Sequence, residues 1–244
     1  MLLEYDWMIF AFTIGCIFSL VVLLFGTISF LILAKDTPLN SAWNPQVPLR
    51  IGDPITPLTN FKFNRALRND AACYAALKTG AKFAELPEKK EGASCGIRDH
   101  ILLTSLNKMR VKPVHTRCQT ALCWAMWAEH VVQPAAVRLL KTSVLETHHL
   151  SSYNCRKMRT SSGSKDRMST HATAEAIDVS GFSLADGTKI SLRKNWNGTG
   201  PSAKFLKDIR NGACDWFRVT LGPEFNQLHA DHFHLQHTGL GLCR

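Results

Sequence analysis

The longest run of apolar positions lies close to the start of the chain. Residues 7–34 contain no charged side chain, and Trp7 opens the run, as aromatic residues often do at a membrane interface. A helix needs about 20 apolar residues to cross the hydrocarbon core of a bilayer, and this run is longer. A soluble helix of such length would usually show a polar face. The pattern therefore predicts a single N-terminal membrane anchor within residues 1–35.

A cleaved signal peptide is the alternative to an anchor. Such peptides usually begin with basic residues, contain a shorter apolar run and end in a small-residue cleavage site. Here the first residues include the acids Glu4 and Asp6, and the run ends in Ile-Leu-Ala-Lys at residues 32–35. We therefore expect an uncleaved anchor. Neither flank is rich in Lys or Arg, so charge does not set its orientation.

The chain becomes rich in proline directly after this run. Within residues 36–60, prolines stand at positions 38, 45, 48, 54 and 57. Proline-rich segments are extended and act as semi-rigid spacers. We interpret residues 36–60 as a linker that holds the remaining domain, residues 61–244, away from the bilayer.

Helical and strand patterns follow one another in that domain. Stretches rich in Ala and Leu predict helices over residues 64–77, 119–140 and 202–217, with a break or kink at Pro134. Strands are predicted over residues 176–184, 189–192 and 231–235, a turn over 185–187 and a loop over 159–170. Helices come first and antiparallel strands later. We therefore predict an α+β fold in which helices pack on a small antiparallel sheet.

Most of the cysteines lie after the apolar run. They are Cys73, Cys95, Cys118, Cys123, Cys155, Cys214 and Cys243. Dispersed cysteines are unusual in a reducing compartment, and without a Cys-x-x-Cys pair a cysteine-only zinc site is not expected. Buried free thiols are the alternative. We favour three disulfides and one remaining thiol, with this domain on the oxidising side of the membrane.

The chain as a whole is basic. Lys and Arg number 29 against 19 Asp and Glu, which gives a formal charge of +10. Such an excess favours polyanionic surroundings such as phospholipid, an anionic wall polymer or nucleic acid. The basic residues are scattered, however, and a generally solvated surface accounts for them equally well. No nucleic-acid-binding motif is present, so we expect no nucleic-acid partner.

Two short segments concentrate the residue types that bind metals. They contain His171 and Asp178 in the first, and His229, Asp231, His232 and His234 in the second. Side chains alternate along a strand, so His232 and His234 would face one way and Asp231 the other. His171 and Asp178 would converge only if a turn follows His171 and a strand starts near Asp178.

This combined pattern is typical of a catalytic zinc site. Such a site needs three protein ligands and one open position for water. His171, Asp178 and His234 would supply two imidazoles and a carboxylate, and His232 could take a proton from the water. Hydrogen bonding in the interior or at the surface is the alternative. We keep that interpretation for the other histidines, which are His100, His115, His130, His148, His149 and His237.

Several motifs in order carry a resemblance to a known family over residues 57–243. They are Ser152-Tyr153, Cys155-Arg156, Ser169-x-His171-x6-Asp178, Gly181-Phe182-x-Leu184-x-Asp186-Gly187, Ala213-Cys214, Leu221-Gly222-Pro223, Asn226 and His229-x-Asp231-His232-Phe233-His234-Leu235. Together they resemble the extensin-like C-terminal domain family of bacteria. That family is similar to zinc D-alanyl-D-alanine carboxypeptidases and to the penicillin-insensitive murein endopeptidase, which has the same His-x2-His-x-His spacing.

The resemblance implies a role for each site residue. Zinc would bind His171, Asp178 and His234, as the spacing had suggested. His232 would act as base or oxyanion partner, with His229 as an auxiliary histidine.

Two further residues take roles from the same resemblance. Arg156 falls where the carboxypeptidases use an arginine to steady substrate or transition-state charge, which a guanidinium does through several hydrogen bonds. Asp231 stands where they have a catalytic Glu. The resemblance leaves open whether Asp231 or His232 is the base, or whether Asp231 orients a histidine.

The implied function is a zinc-dependent amide hydrolase that acts on peptidoglycan peptides. It would be held in the inner membrane by one helix, with its domain in the periplasm. A cell-wall-binding module that keeps the metal site without hydrolysis is the alternative, and a structural envelope protein with vestigial histidines is a third.

The disulfide pairing is suggested only by order along the chain. That order gives Cys73–Cys95, Cys118–Cys155 and Cys214–Cys243, with Cys123 left over, which is one of many possible connectivities. A bridge at Cys155 would fix Arg156 near the site.

Overall fold

The structure is a computed structural model that describes residues 2–33, 39–160 and 163–244. Its first helix, α1, spans Leu2–Leu33. Within it, Phe12–Leu31 has a mean hydropathy of 2.5, and none of that stretch is buried in the rest of the protein. In length and composition this apolar helix therefore matches a membrane span or a signal sequence.

The segment after α1 is packed on the domain instead of extending from it. Leu49 and Ile51 are buried in the hydrophobic core, and Lys62 Nζ donates to the Ser41 carbonyl at 2.7 Å. Prolines stiffen this segment, but burial of the apolar side chains between them holds the segment against the domain. Residues 39–56 of the predicted 36–60 linker are thus part of the folded unit.

Two helices replace the single helix predicted over residues 64–77. They are α2, Pro57–Arg68, and α3, Asp70–Leu77. Asn69 separates them because its backbone is extended (φ −138°, ψ 119°) and its side chain accepts from the Ala72 N–H at 2.9 Å. An asparagine that caps a new helix in this way ends the preceding one.

The next part of the chain folds into strands that the sequence analysis missed. They are β1 (Ala81–Glu85), β2 (Lys89–Glu91), β3 (Cys95–Ile97), β4 (His100–Leu106), β5 (Met109–Arg117) and β6 (Val144–His149). Between β5 and β6 lie α4 (Cys118–Trp127), one π-helical turn over residues 128–132 and α5 (Gln133–Leu140). The break or kink predicted at Pro134 takes the form of this π-helical turn directly before the proline, while Trp127, Val132 and Gln133 keep helical backbone angles.

The last part contains the elements that carry the candidate site. They are β7 (Lys157–Thr160), β8 (Gly163–Met168), β9 (Ala176–Leu184), β10 (Lys189–Ser191), α6 (Leu192–Asn195), α7 (Pro201–Ala213), β11 (Val219–Leu221), β12 (Phe233–Gln236) and β13 (Leu242–Cys243). The loop predicted over residues 159–170 is wrong, because β7 and β8 pair as a two-stranded hairpin. Its residues are mainly polar, so no apolar alternation marks it. The strand predicted over 176–184 matches β9.

One large sheet organises the fold. Its strand order is β1-β4-β5-β6-β9-β12-β11-β13, with β10 also paired to β9. The predicted α+β class is confirmed, but the sheet is larger than expected and mixed: β6 runs parallel to β5, and β13 runs parallel to β11. The core holds the fully buried rings of Trp124, Trp127, Phe182, Phe205 and Phe233.

Three disulfides link the folded unit. They are Cys73–Cys118, Cys95–Cys155 and Cys214–Cys243, and Cys123 is free and buried. Two of the three predicted pairs are therefore wrong. Order along the chain fails because α3 packs on α4 and thereby brings Cys73 to Cys118. Burial raises the pKa of the Cys123 thiol, which makes that thiol unreactive.

Candidate metal centre

A pair of neighbouring strands sets two of the candidate ligands side by side. Asp178 on β9 and His234 on β12 are directly opposite each other in the antiparallel register. The flanking Ile177, Phe233 and Leu235 are fully buried, so strand alternation turns Asp178 and His234 to the other face. His234 Nδ1 lies 3.0 Å from Asp178 Oδ1. A strand does start near Asp178, as predicted, and its pairing with β12 places Asp178 beside His234.

A tight turn brings His171 to the same place. His171 lies in a 3₁₀ turn, Thr170–Thr173, in which the Ser169 hydroxyl accepts from the His171 N–H. The turn closes at Ala174, which takes a left-handed conformation (φ 52°). His171 is 2% exposed, and its Nε2 lies 3.2 Å from Asp178 Oδ2 and 3.2 Å from His234 Nδ1. The turn after His171 that the sequence required is present.

The protonation of His171 follows from its neighbours. Its Nδ1 lies 3.0 Å from the Ser152 carbonyl, which can only accept, so Nδ1 carries the proton and Nε2 presents a lone pair. Ser152 is itself fully buried, and its hydroxyl is satisfied there: it donates to the Ala176 carbonyl at 2.7 Å and accepts from Thr116 at 2.8 Å. The imidazole lone pair therefore points at the carboxylate and at His234.

The three converging atoms match the geometry of a small cation site. All lie within 4.8 Å of one another, and the nearest pairs are 3.0–3.2 Å apart. Ligand atoms about 2.1 Å from a tetrahedral zinc ion stand roughly 3.4 Å from each other. Burial raises the pKa of Asp178, but the neighbouring His171 and His234 together outweigh burial and lower that pKa. An ionised carboxylate and two neutral imidazoles could hold such a cation.

His232 reaches the same cluster from just outside the strand. β12 begins at Phe233, so the alternation predicted from residue 231 onward does not include His232. Nevertheless, its Nε2 lies 3.6 Å from Asp178 Oδ1, and its Nδ1 lies 2.9 Å from Asp231 Oδ1. A carboxylate only accepts, so Nδ1 carries the proton and Nε2 is a free acceptor. Asp231, whose side chain is 48% exposed, thus orients His232.

His229 completes a group of imidazole rings. Its ring centroid lies 5.3 Å from that of His232 and 5.8 Å from that of His234. Its Nδ1 donates to Asn226 Oδ1 at 2.7 Å, which leaves Nε2 as an acceptor. Burial, followed by repulsion from His234 and His232, lowers the pKa of His229 to about 4. His229 is therefore neutral at physiological pH.

Arg156 is near the site in backbone but not in side chain. Its carbonyl accepts from the Ser169 N–H at 3.0 Å, and Cys155 before it is fixed to Cys95. Its guanidinium donates to the Lys157 carbonyl at 3.3 Å. Within the described ranges it makes no hydrogen bond or ion pair with His171 or any other converging residue. The predicted anion-binding role of Arg156 thus stays a prediction.

Sequence reasoning missed Ser152 as part of the site. Its carbonyl fixes the proton on His171, and its hydroxyl ties that carbonyl to β9 and β5. Serine is usually exposed, so the residue type carries no signal. Its position four residues before Arg156, in the first motif of the family resemblance, is the one hint in the sequence.

A cleft opens next to the cluster. It has a volume of about 370 Å³, and Asp231 lines it together with Ser180, Lys189, Arg193 and Lys194. Because Asp231 also contacts His232, the cleft and the cluster share a wall. A molecule in this cleft would meet several basic side chains while it lies beside the imidazoles.

Comparison with known proteins gives one match. No curated protein and no solved structure matches the chain. A family model described as extensin-like protein C-terminus matches residues 71–244, which include every element from α4 to β13 and all residues of the cluster. By this match over more than half of its length, the chain belongs to the extensin-like C-terminal family.

Proposed function

We propose that the protein is a zinc-dependent amide hydrolase that acts on the peptides of peptidoglycan. One observation carries the proposal: His171, Asp178 and His234 bring two imidazole nitrogens and a carboxylate oxygen within 4.8 Å of one another, with a further imidazole nitrogen beside them. A set of three protein ligands with room for water is the pattern of catalytic zinc. The family resemblance in the sequence supports the same reaction.

The chemistry divides between the ion and the protein. Bound zinc would supply Lewis acidity, which activates water and polarises an amide carbonyl. His171, Asp178 and His234 would hold the ion, and the Ser152 carbonyl would keep His171 in the required tautomer. Ionised Asp178 would offset part of the positive charge of the ion.

Proton transfer is assigned to His232. As water attacks the carbonyl carbon, His232 Nε2 accepts the water proton, and Asp231 stabilises the resulting imidazolium through Nδ1. His232 then donates that proton to the leaving nitrogen as the C–N bond breaks, which yields an amine and a carboxylic acid that ionises by losing its proton to solvent. This division makes His232 the base and Asp231 its positioning residue. His229, a neutral acceptor, would receive an N–H from the substrate.

The cleft beside Asp231 supports an acidic peptide as substrate. Lys189, Arg193 and Lys194 line it, and peptidoglycan peptides carry free carboxylates. Opposite charges would guide such a peptide toward the imidazoles. The position of the cleft next to His232 favours this surface over others for the substrate.

The setting we propose is the periplasmic face of the inner membrane. Helix α1 has the length and composition to anchor the chain, and three disulfides are typical of an oxidising compartment. An anchored domain on that side would reach the cell wall.

A non-catalytic wall-binding module is the second candidate. It is favoured by Arg156, whose guanidinium donates to the carbonyl of its neighbour Lys157 and, among the described residues, makes no hydrogen bond with the cluster. If the Arg156 guanidinium does not reach the cluster, that arginine cannot stabilise negative charge on the substrate during hydrolysis. Such a module would bind murein and release no product.

The test uses the full-length chain purified in detergent without chelators. We expect about one zinc per chain and release of muropeptides from murein sacculi; His234→Ala should abolish both, because it removes one of three ligands. His232→Gln should keep zinc and lose product. His115→Ala, which changes an exposed histidine outside the cluster, is the control and should keep both.

Three outcomes separate the candidates. Absence of stoichiometric zinc in the unmodified protein would refute the metal site. Zinc without product, together with retention of the protein on sacculi, would favour the binding module. Product release by His232→Gln at the normal rate would remove His232 as the base.

A further inference from the structure

A second cleft, of about 370 Å³, lies apart from the metal centre. Four arginines line it: Arg68, Arg98, Arg117 and Arg218. None of the residues that line it belongs to the histidine cluster or to the cleft beside Asp231. This arginine cleft is therefore a separate feature of the fold, and the proposed hydrolysis does not use it.

The four arginines come from distant parts of the chain. Arg68 ends α2, Arg98 lies between β3 and β4, Arg117 ends β5, and Arg218 precedes β11. Like charges repel, so folding that gathers four guanidinium groups around one cavity is unfavourable unless carboxylates or a bound anion compensate. The positions of the nearby carboxylates show which of these arginine charges the protein itself neutralises.

Arg117 is compensated within the protein. Its side chain is 12% exposed and donates to Asp99 Oδ2 at 2.8 Å and to Glu175 Oε1 at 3.2 Å. Thr238 donates to the other oxygen of Glu175 at 2.9 Å. Arg117 is thus held rigidly, and its buried Nε–H remains without a hydrogen-bond partner among the described residues. Gln119 lines the cleft beside it, where Asp70 accepts from the Gln119 amide at 2.9 Å.

The other three arginines are not compensated in this way. Arg68, Arg98 and Arg218 are all exposed, and in the part of the chain that the structure describes none has an acidic partner within 4.0 Å. Among the residues that the structure describes, Glu175 is the one acid that lines the cleft, and its two oxygens already accept from Arg117 and Thr238. The cleft therefore offers three unpaired guanidinium forks on a rigid base.

We propose that this cleft binds an oxyanion of the phosphoryl class. A carboxylate presents two oxygens and one charge, and one guanidinium fork can satisfy it. A phosphate group presents more acceptor oxygens in a tetrahedral array, together with up to two charges, which suits several forks that converge from different directions. Binding would offset the repulsion among the guanidinium groups of Arg68, Arg98 and Arg218.

The arginine cleft and the metal centre are three residues apart along two neighbouring segments of the chain. Glu175 precedes Asp178 by three residues, His237 follows His234 by three, and the His237 N–H donates to the Glu175 carbonyl at 3.1 Å. Three residues of strand span about 10 Å. A phosphoryl group in the cleft would thus lie beside the residues that precede β9 and follow β12, whereas a ligand at the cluster would lie on the strands themselves.

The test is calorimetric titration of the full-length chain in neutral detergent with inorganic phosphate at constant ionic strength. We expect saturable binding that weakens about tenfold or more in Arg98→Gln and in Arg218→Gln, because each loses a charge-assisted hydrogen bond. Both positions are exposed, so the variants should keep the melting temperature of the parent. Arg159→Gln makes the same charge change on the β7–β8 hairpin and should leave binding unchanged. His234→Ala should also bind phosphate normally, which separates this site from the metal centre.

A second arm distinguishes free phosphate from a lipid headgroup. The titration is repeated in nanodiscs of phosphatidylcholine and in nanodiscs that contain phosphatidic acid. If inorganic phosphate binds more weakly in the nanodiscs that contain phosphatidic acid, a lipid headgroup occupies the cleft. If phosphate binds equally well in both kinds of nanodisc, the ligand is a soluble phosphoryl compound. Absence of saturable binding, or equal loss in Arg159→Gln and Arg98→Gln, would overturn the proposal.

Discussion

Removal of the Cys95–Cys155 disulfide should cost the protein a large part of its stability. The bridge closes a loop with a sequence separation of 60. Loss of loop-closure entropy in the unfolded chain corresponds to roughly 4 kcal/mol for a loop of that size. A typical domain has about 5–15 kcal/mol of stability in total. We therefore expect the Cys95→Ala/Cys155→Ala variant to unfold at much lower denaturant concentration.

The same change should reach the metal centre. Cys155 follows Asn154, whose N–H donates to the His171 carbonyl at 2.9 Å, and Ser152 orients the His171 ring. Without the bridge this segment is held by hydrogen bonds alone. We expect zinc affinity to fall in the same variant, because His171 is less often in its binding position.

The assay is urea unfolding of the full-length chain in detergent, followed by tryptophan fluorescence, with zinc affinity measured in parallel. Cys214→Ala/Cys243→Ala is the matched control, since its bridge has a separation of 29 and corresponds to roughly 3.5 kcal/mol. It should be similarly destabilised but keep its zinc affinity. A loss below about 1 kcal/mol in the Cys95→Ala/Cys155→Ala variant would refute the loop-closure reasoning. Peptide mapping that shows Cys73 joined to Cys95 would refute the pairing itself.

Three further predictions concern single residues. Ser152→Ala should lower the free energy of unfolding by about 1–3 kcal/mol, because Thr116 loses its partner; urea unfolding checks this, and an unchanged midpoint would contradict it. Burial, and to a smaller extent the charge of Arg117, lowers the pKa of His237 from 6.5 to about 4. The folded state therefore favours the neutral imidazole. The free energy of unfolding is highest above pH 6.5 and should fall by up to about 3 kcal/mol as the pH drops toward 4. The melting temperature of His237→Gln should therefore change less with pH over this interval than that of the parent. An equally steep pH dependence in the variant would show that His237 is not the group responsible. Asp231→Asn should reduce muropeptide release about 10–100-fold with unchanged zinc content, and loss of zinc would instead make Asp231 a ligand.

The parts of the fold that the sequence predicts best are those with local signals. Strand β9 is a mainly apolar run that ends just before the turn at Asp186-Gly187, so its bounds follow from the residues themselves. The π-helical turn next to Pro134 is likewise explained by one residue, which cannot make the regular helical hydrogen bond. The β7–β8 hairpin has polar side chains on most positions, and short exposed strands of this kind give no apolar period.

Long-range features are harder to predict because they depend on which elements become neighbours. The convergence of His171, Asp178 and His234 followed from motif spacing together with the family resemblance. The contact of His232 with the same cluster was expected from strand alternation, but it arises from the chain just before β12. The Cys73–Cys118 pairing and the role of Ser152 require knowledge of helix packing and sheet order, which no single segment encodes.

The disulfide connectivity also determines which backbone cuts the protein can survive as one covalent molecule. The Cys73–Cys118 and Cys95–Cys155 bridges interleave, so fragments from a cut anywhere between residues 73 and 155 stay joined, and Cys214–Cys243 protects the C-terminal part in the same way. In the described chain after residue 73, the main stretch that no bridge spans is 156–213. That stretch carries the exposed β7–β8 hairpin together with His171 and Asp178. A protease that nicks the hairpin would divide the chain into two fragments, with both of these ligands and His234 on one and Ser152, which orients His171, on the other.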